Sequence, residues 1–195
     1  MKLEVPETLN DITVESYQEL ALIENPTQED VLSCLLEIDR RDIRRLKTKS
    51  VDGLSKHLEM LLETPQGLQR TFKMWGKEWG FIPNLDDATY GEHIDIMESF
   101  DVKSWHKLMA VLYRPIKMKG KVKGNNLYAI EKYDPGKYDE VMKQAPLGVC
   151  LGAQLFFCDL MRDLSVCTLS YLEREELQRV LGSMKNGEDI ANSIC

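Results

Sequence analysis

No phosphate-cradling glycine-rich loop, no Gly-x-Ser-x-Gly elbow and no Ser/His/Asp or Cys/His arrangement can be placed on this sequence. Histidine is scarce. His57, His93 and His106 are scattered through 195 residues, with no spacing that would bring two imidazoles to one metal. Five cysteines (34, 150, 158, 167 and 195) make an odd count with no Cys-x-x-Cys pair. The intervals between Cys150, Cys158 and Cys167 do not stack three thiolates on one helix face, so neither zinc nor a disulfide framework is indicated. Each reads instead as a small buried hydrophobe. The first residues lack a basic start and a small-residue cleavage site. The longest nearly apolar run, Ala145 to Cys158, is about 14 residues and holds Gln154, which is short of the roughly 20 that a membrane span needs. The expectation is a soluble cytosolic protein that is not an enzyme and carries no cofactor or metal.

What is present fits one globular domain. Hydrophobic residues make up 43% and charged residues 29%, enough apolar material to bury a core and too much for disorder. A net charge of −7 argues against general or sequence-specific nucleic-acid binding and leaves room for local basic patches.

The unusual chemistry is concentrated between Trp75 and Asp101. That stretch holds two tryptophans, three glycines and seven carboxylates, with no Lys or Arg between Lys77 and Lys103. Phe72 to Phe81 reads as a short hairpin. Pro83 fixes a turn, in which Asn84 and Asp86 bond nearby backbone. Thr89 and Glu92 form a capping box that opens a helix. Glu92, Asp95 and Glu98 then follow at intervals of three along one helix edge. Calcium-loop spacing fails here, because Thr89 stands where a glycine is required. The row therefore reads as a solvated acidic edge, with Asp86, Asp87 and Glu92 capping backbone N–H groups.

The rest is mainly helical. Thr13 opens a helix with Val14, Tyr17, Leu20 and Ala21 on one side. Thr27 caps a second helix with Asp30 at its third position. Arg40, Arg41, Arg44, Arg45, Lys47 and Lys49 follow, as a solvated connector or a partner for the acidic stretch. Residues 50–63 form a further helix, and another runs from about Lys103 to Tyr113 before Arg114-Pro115 stops it. Residues 116–130 read as a second hairpin, in which Lys117, Lys119, Lys121 and Lys123 alternate. On a regular strand these share one face, as an edge guard or a docking surface. After a turn at Asp134-Pro135-Gly136 and a short helix over 138–144, Pro146 opens the longest helix, Leu147 to Leu181. Its Gly148, Gly152 and Ala153 would admit neighbouring helices, and its broad apolar surface needs burial or a partner. Phe156 and Leu160 are expected in the core. Gly182 caps that helix and 183–195 is a tail. The fold expectation is thus α+β, mostly α: one domain over 1–182 around the C-terminal helix, with β elements near 70–83 and 115–130.

One resemblance covers roughly the whole chain. Phe81-Ile82-Pro83-Asn84-Leu85-Asp86-Asp87, followed by Thr89, Gly91-Glu92 and Ile94-Asp95, resembles a signature of small tailed-bacteriophage proteins. Ala110-Val111-Leu112-Tyr113-Arg114-Pro115-Ile116 fits the same group. So do Pro146-Leu147 leading to Phe156-Phe157, and the opening Val5-Pro6-Glu7-Thr8-Leu9. These motifs look structural, with Phe81, Pro83, Asn84, Asp86, Asp87, Gly91 and Glu92 as the main punctuation. In size and helix content the group is similar to tail assembly chaperones and to virion connector components. The resemblance implies a morphogenesis factor in the host cytoplasm that binds tail, neck or portal proteins, or alternatively a permanent virion component, with self-association left open. Lys117 to Lys123 are the candidate contact surface.

Overall fold

A computed structural model of the protein describes residues 4–120, 128–160, 162 and 163. The chain divides into two compact units, residues 1–155 and 156–195. In the first, α1 (Val14–Ala21), α2 (Gln28–Leu35), α3 (Arg40–Ile43) and α4 (Thr48–Glu63) precede a hairpin of β1 (Thr71–Met74) and β2 (Lys77–Phe81). Then come α5 (Tyr90–Glu98), α6 (Trp105–Leu112), β3 (Tyr113–Lys119), β4 (Tyr128–Ile130) and α7 (Asp139–Met142), and α8 over residues 147–155. The class is α+β and mainly helical. The two expected hairpins join in one antiparallel sheet of order β1-β2-β3-β4.

Local signals set many of the boundaries. Thr8, Thr27 and Thr89 each accept a backbone N–H in a reciprocal capping box, with Asp11, Asp30 and Glu92 as the partners. Thr13 caps α1 through the Ser16 N–H as expected. The inward side of α1 differs, however: Ala21 is exposed, while Ser16 and Gln18 are buried. Both are satisfied there, because the Ser16 hydroxyl donates to Glu37 and the Gln18 amide donates to the Val102 carbonyl at 2.6 Å.

The core centres on α6 and the sheet. Leu108, Met109, Leu112 and Tyr113 are fully enclosed, each such side chain worth about 1.5–3 kcal/mol of transfer free energy. Helix α6 does not end in a loop at Arg114-Pro115. It passes straight into β3, since Tyr113 already pairs with Phe81 in the ladder and its ring packs edge-on to Phe72 and Phe81 at 5.3 Å. Trp79 stacks on Phe72 and meets Tyr138 edge-on at 5.1 Å.

Helix α8 enters this core with Leu147, Val149, Cys150 and Ala153 buried. Burial in apolar surroundings pushes the Cys150 thiol well above its ordinary range, in keeping with a packing role. The close approaches at its glycines involve the segment around Gly67 and the single helical turn Leu9–Asp11, not the neighbouring long helices expected. A Cβ on Gly152 would lie 2.3 Å from the Gly67 carbonyl oxygen, and one on Gly148 would lie 2.6 Å from Asn10 Oδ1. The basic run finds its partners on and beside α2 rather than in the acidic stretch. Arg40 meets Asp30 at 2.6 Å, Arg44 meets Glu29 at 2.9 Å and Arg45 meets Asp42 at 3.1 Å.

The described residues of the second unit, 156–160, 162 and 163, are also helical. There Phe157 is buried and Phe156 packs edge-on against it at 5.4 Å. Phe156 and Leu160, both expected in the core, are only half-buried, because the buried ring on this helix is Phe157 instead. The expected helix end at Leu181, the cap at Gly182 and the tail 183–195 lie outside the described residues, as do Cys167 and Cys195.

Candidate functional site

The β1–β2 hairpin turns through Trp75 and Gly76, both left-handed, with φ of 50° and 71°. That pairing is a type I′ geometry, which matches strand twist and normally takes Asn-Gly or Gly-Gly. A bulky residue at the first position carries a steric cost of about 1–2 kcal/mol. The Trp75 indole is 69% exposed, flanked by exposed Lys73 and Lys77. A large apolar ring is thus held out at a strained tip between two cations. Composition alone does not separate this tryptophan from Trp79. The distinguishing signal was phase: Trp79 pairs with Phe72 on the buried face, whereas Trp75 sits beside a glycine at the reversal.

The lysines of β3 do not form the expected row. Ile116 pairs with Ile130, Met118 with Ala129 and Lys119 with Tyr128, so a bulge sits between Ile116 and Met118. This odd step puts Lys119 on the side of Ile116 and Tyr128, and the alternation that would align Lys117 with Lys119 is broken. Both lysines are exposed, as is Met118, and Lys119 is tied to Glu78 at 2.5 Å. Lys121 and Lys123 lie outside the described residues. Strand β3 pairs with β2 only over Tyr113–Pro115 and with β4 over Ile116–Lys119, so Lys117 and Lys119 lie past the end of the β2 ladder.

The Pro83 motif folds into a wall beside the sheet. Phe81 and Ile82 are buried, and the Ile82 N–H donates to the Leu112 carbonyl at 2.9 Å. Asn84 does the capping here. Its Oδ1 accepts the Asp86 N–H at 3.2 Å, and its Nδ2 donates to Asp87 Oδ2 at 2.9 Å. Asp86 and Asp87 are exposed and cap no backbone, contrary to expectation, because the asparagine already occupies that role in the turn over Leu85–Asp87. Gly91 is exposed, with ordinary space for a Cβ.

Glu92 departs furthest from the solvated edge expected of it. It is 4% exposed and accepts the Thr89 N–H, and its Oε1 lies 2.5 Å from Nη2 of Arg114, itself 6% exposed. Burial draws the Arg114 guanidinium below its ordinary value, opposed by the Glu92 carboxylate. Tyr133 lies against the same guanidinium, 5.7 Å from ring centroid to carbon, and its hydroxyl donates to Asp95. Sheet, α5 and the 131–134 segment therefore meet at one buried cation. Only Glu98 of the three helix-edge acids is fully exposed.

A polar recess of about 220 Å³ adjoins this cluster, walled by Asp95, Glu98, Lys107, Tyr133, Asp134 and Asp139. Among the described residues, no group of three or more His, Cys, Asp or Glu side chains is disposed to hold a metal ion. The histidines have local partners or lie in solvent. His57 Nε2 is 2.8 Å from the Pro6 carbonyl, His106 Nδ1 is 3.1 Å from the Gln18 amide, and His93 is exposed.

Comparison of the chain with family models, with curated proteins and with solved structures finds no match in any of the three. Among the described residues, no helix is long and apolar enough to cross a membrane.

Proposed function

We propose that this chain works by binding protein, as a morphogenesis factor of a tailed bacteriophage, with tail, neck or portal components as its partners. The observation that carries the binding reading is the Trp75 tip: a tryptophan 69% exposed, held in a left-handed turn between two lysines. Backbone strain of this kind persists where the surroundings enforce it and clusters at functional sites. Tryptophan is among the residues that dominate interface energetics, and rim lysines act on association rate and salt dependence. The resemblance of the Phe81–Asp95 and Ala110–Ile116 segments to small phage proteins supplies the biological setting.

Capture from phage-infected cells tests this reading. Wild-type chain as bait is expected to recover tail, neck or portal proteins, and Trp75→Asn, which suits the same turn, to recover them at least about tenfold less well, as for a central aromatic anchor. Failure of the wild type to recover any virion protein overturns the phage assignment. Equal recovery by Trp75→Asn removes the tip from the contact.

A further inference from the structure

The Pro83 motif borders a second, smaller pocket, open to solvent, that the binding reading leaves unused. It has a volume of about 140 Å³ and is walled by Ile82, Pro83, Asn84, Asp87, Glu92 and Arg114. Arg114 is more than nine-tenths buried, yet among the described residues it makes its hydrogen bond to Glu92 alone, and its buried Nε–H has no acceptor. A guanidinium offers five N–H donors in a planar fork, so Arg114, which lines the pocket, keeps donors beyond the one that meets Glu92, although its Nε has almost no accessible surface. Asp87, an exposed residue that also lines the pocket, uses Oδ2 to accept from Asn84, and its Oδ1 has no protein donor among the described residues.

The charges on the wall select the ligand. One guanidinium stands against two carboxylates, Glu92 and Asp87, so an entering anion meets net negative charge and a cation meets the guanidinium. A neutral group that both accepts and donates satisfies each side. We propose that this cavity is a carboxamide site, taking a primary amide such as an Asn or Gln side chain. Its carbonyl oxygen accepts from Arg114 and its NH₂ donates to Asp87. Ile82 and Pro83 supply apolar wall for the adjoining methylene. The site stands apart from the Trp75 tip, and either can fail alone.

Acetamide is the probe, titrated into the isotope-labelled full chain and followed at the Arg114 guanidinium N–H resonances. A saturable shift is expected with acetamide, and at least about tenfold weaker binding of acetate, which a like charge on the wall opposes. Asp87→Ala, at an exposed position, is expected to weaken acetamide binding about tenfold through loss of one hydrogen bond to a charged acceptor. The absence of a saturable shift in the wild type overturns the site, and this arm needs no variant to fold. Acetate binding as well as acetamide overturns the ligand class. Unchanged affinity in a folded Asp87→Ala chain removes Asp87 from the recognition.

Discussion

Arg114 Nη2 and Glu92 Oε1 lie 2.5 Å apart with both residues under a tenth exposed, which makes them a buried ion pair joining the second residue of β3 to the first turn of α5. Removing one partner strands the other charge in a poorly solvated site. Glu92→Gln and Arg114→Met are each expected to cost about 3–5 kcal/mol in urea denaturation. The double variant Glu92→Gln/Arg114→Met should cost clearly less than the two single losses added together. Strict additivity would show that the two charges do not interact.

At the hairpin tip, stability and function are expected to pull apart. Trp75→Asn relieves a left-handed tryptophan and supplies the residue that the turn prefers. A gain of about 0.5–1 kcal/mol in thermal or chemical unfolding is the expected outcome. A loss of stability would mean that the indole contributes to the fold.

Gly152→Ala tests the docking of α8. Its new Cβ would stand 2.3 Å from a backbone carbonyl that no side-chain rotation can move aside. Overpacking of this kind costs about 1–3 kcal/mol or more, and the midpoint of unfolding should fall accordingly. Gly53→Ala is the control. It lies in α4 with open space around its Cβ, and it should stabilise by removing a helical glycine.

His106 gives the fold a pH dependence. Burial, reinforced by nearby Lys143, lowers its folded-state pKa from the ordinary 6.5. The unfolded chain therefore binds the proton more readily. Stability attributable to this group is complete above about pH 6.5 and declines as the pH falls through the lowered folded-state value. The chemical shift of the His106 ring should titrate below the ordinary 6.5, and a midpoint at or above that value would refute the assignment.

What was legible in the sequence was local. The Phe72–Phe81 hairpin, the Thr27–Asp30 and Thr89–Glu92 boxes and the Asp134-Pro135-Gly136 turn each depend on residues a few positions apart. The ion pair was not legible, because Glu92 looks like any helix-edge acid until the ladder sets Arg114 opposite Gly80 and brings that face to α5. The alternation of Lys117 with Lys119 is broken for a related reason: a single bulge changes which side chains share a face, and no turn residue announces it. Gly148 and Gly152 were recognisable as sites of close approach, but the identity of the approaching segments depended on contacts more than 80 residues away in sequence. The Trp75 tip was readable in principle, had the phase of Phe72, Met74 and Trp79 been followed to the reversal.

Thr13 bridges Pro146, with the Val14 N–H donating to the Ala145 carbonyl and the Leu147 N–H to Ile12, both within 3 Å. This short strap has a temporal meaning during synthesis. At roughly 5–20 residues per second, a ribosome needs on the order of ten seconds to reach Pro146 after making Thr13. For that interval Thr13 has no partner across this bridge, so the first unit can close only late in translation.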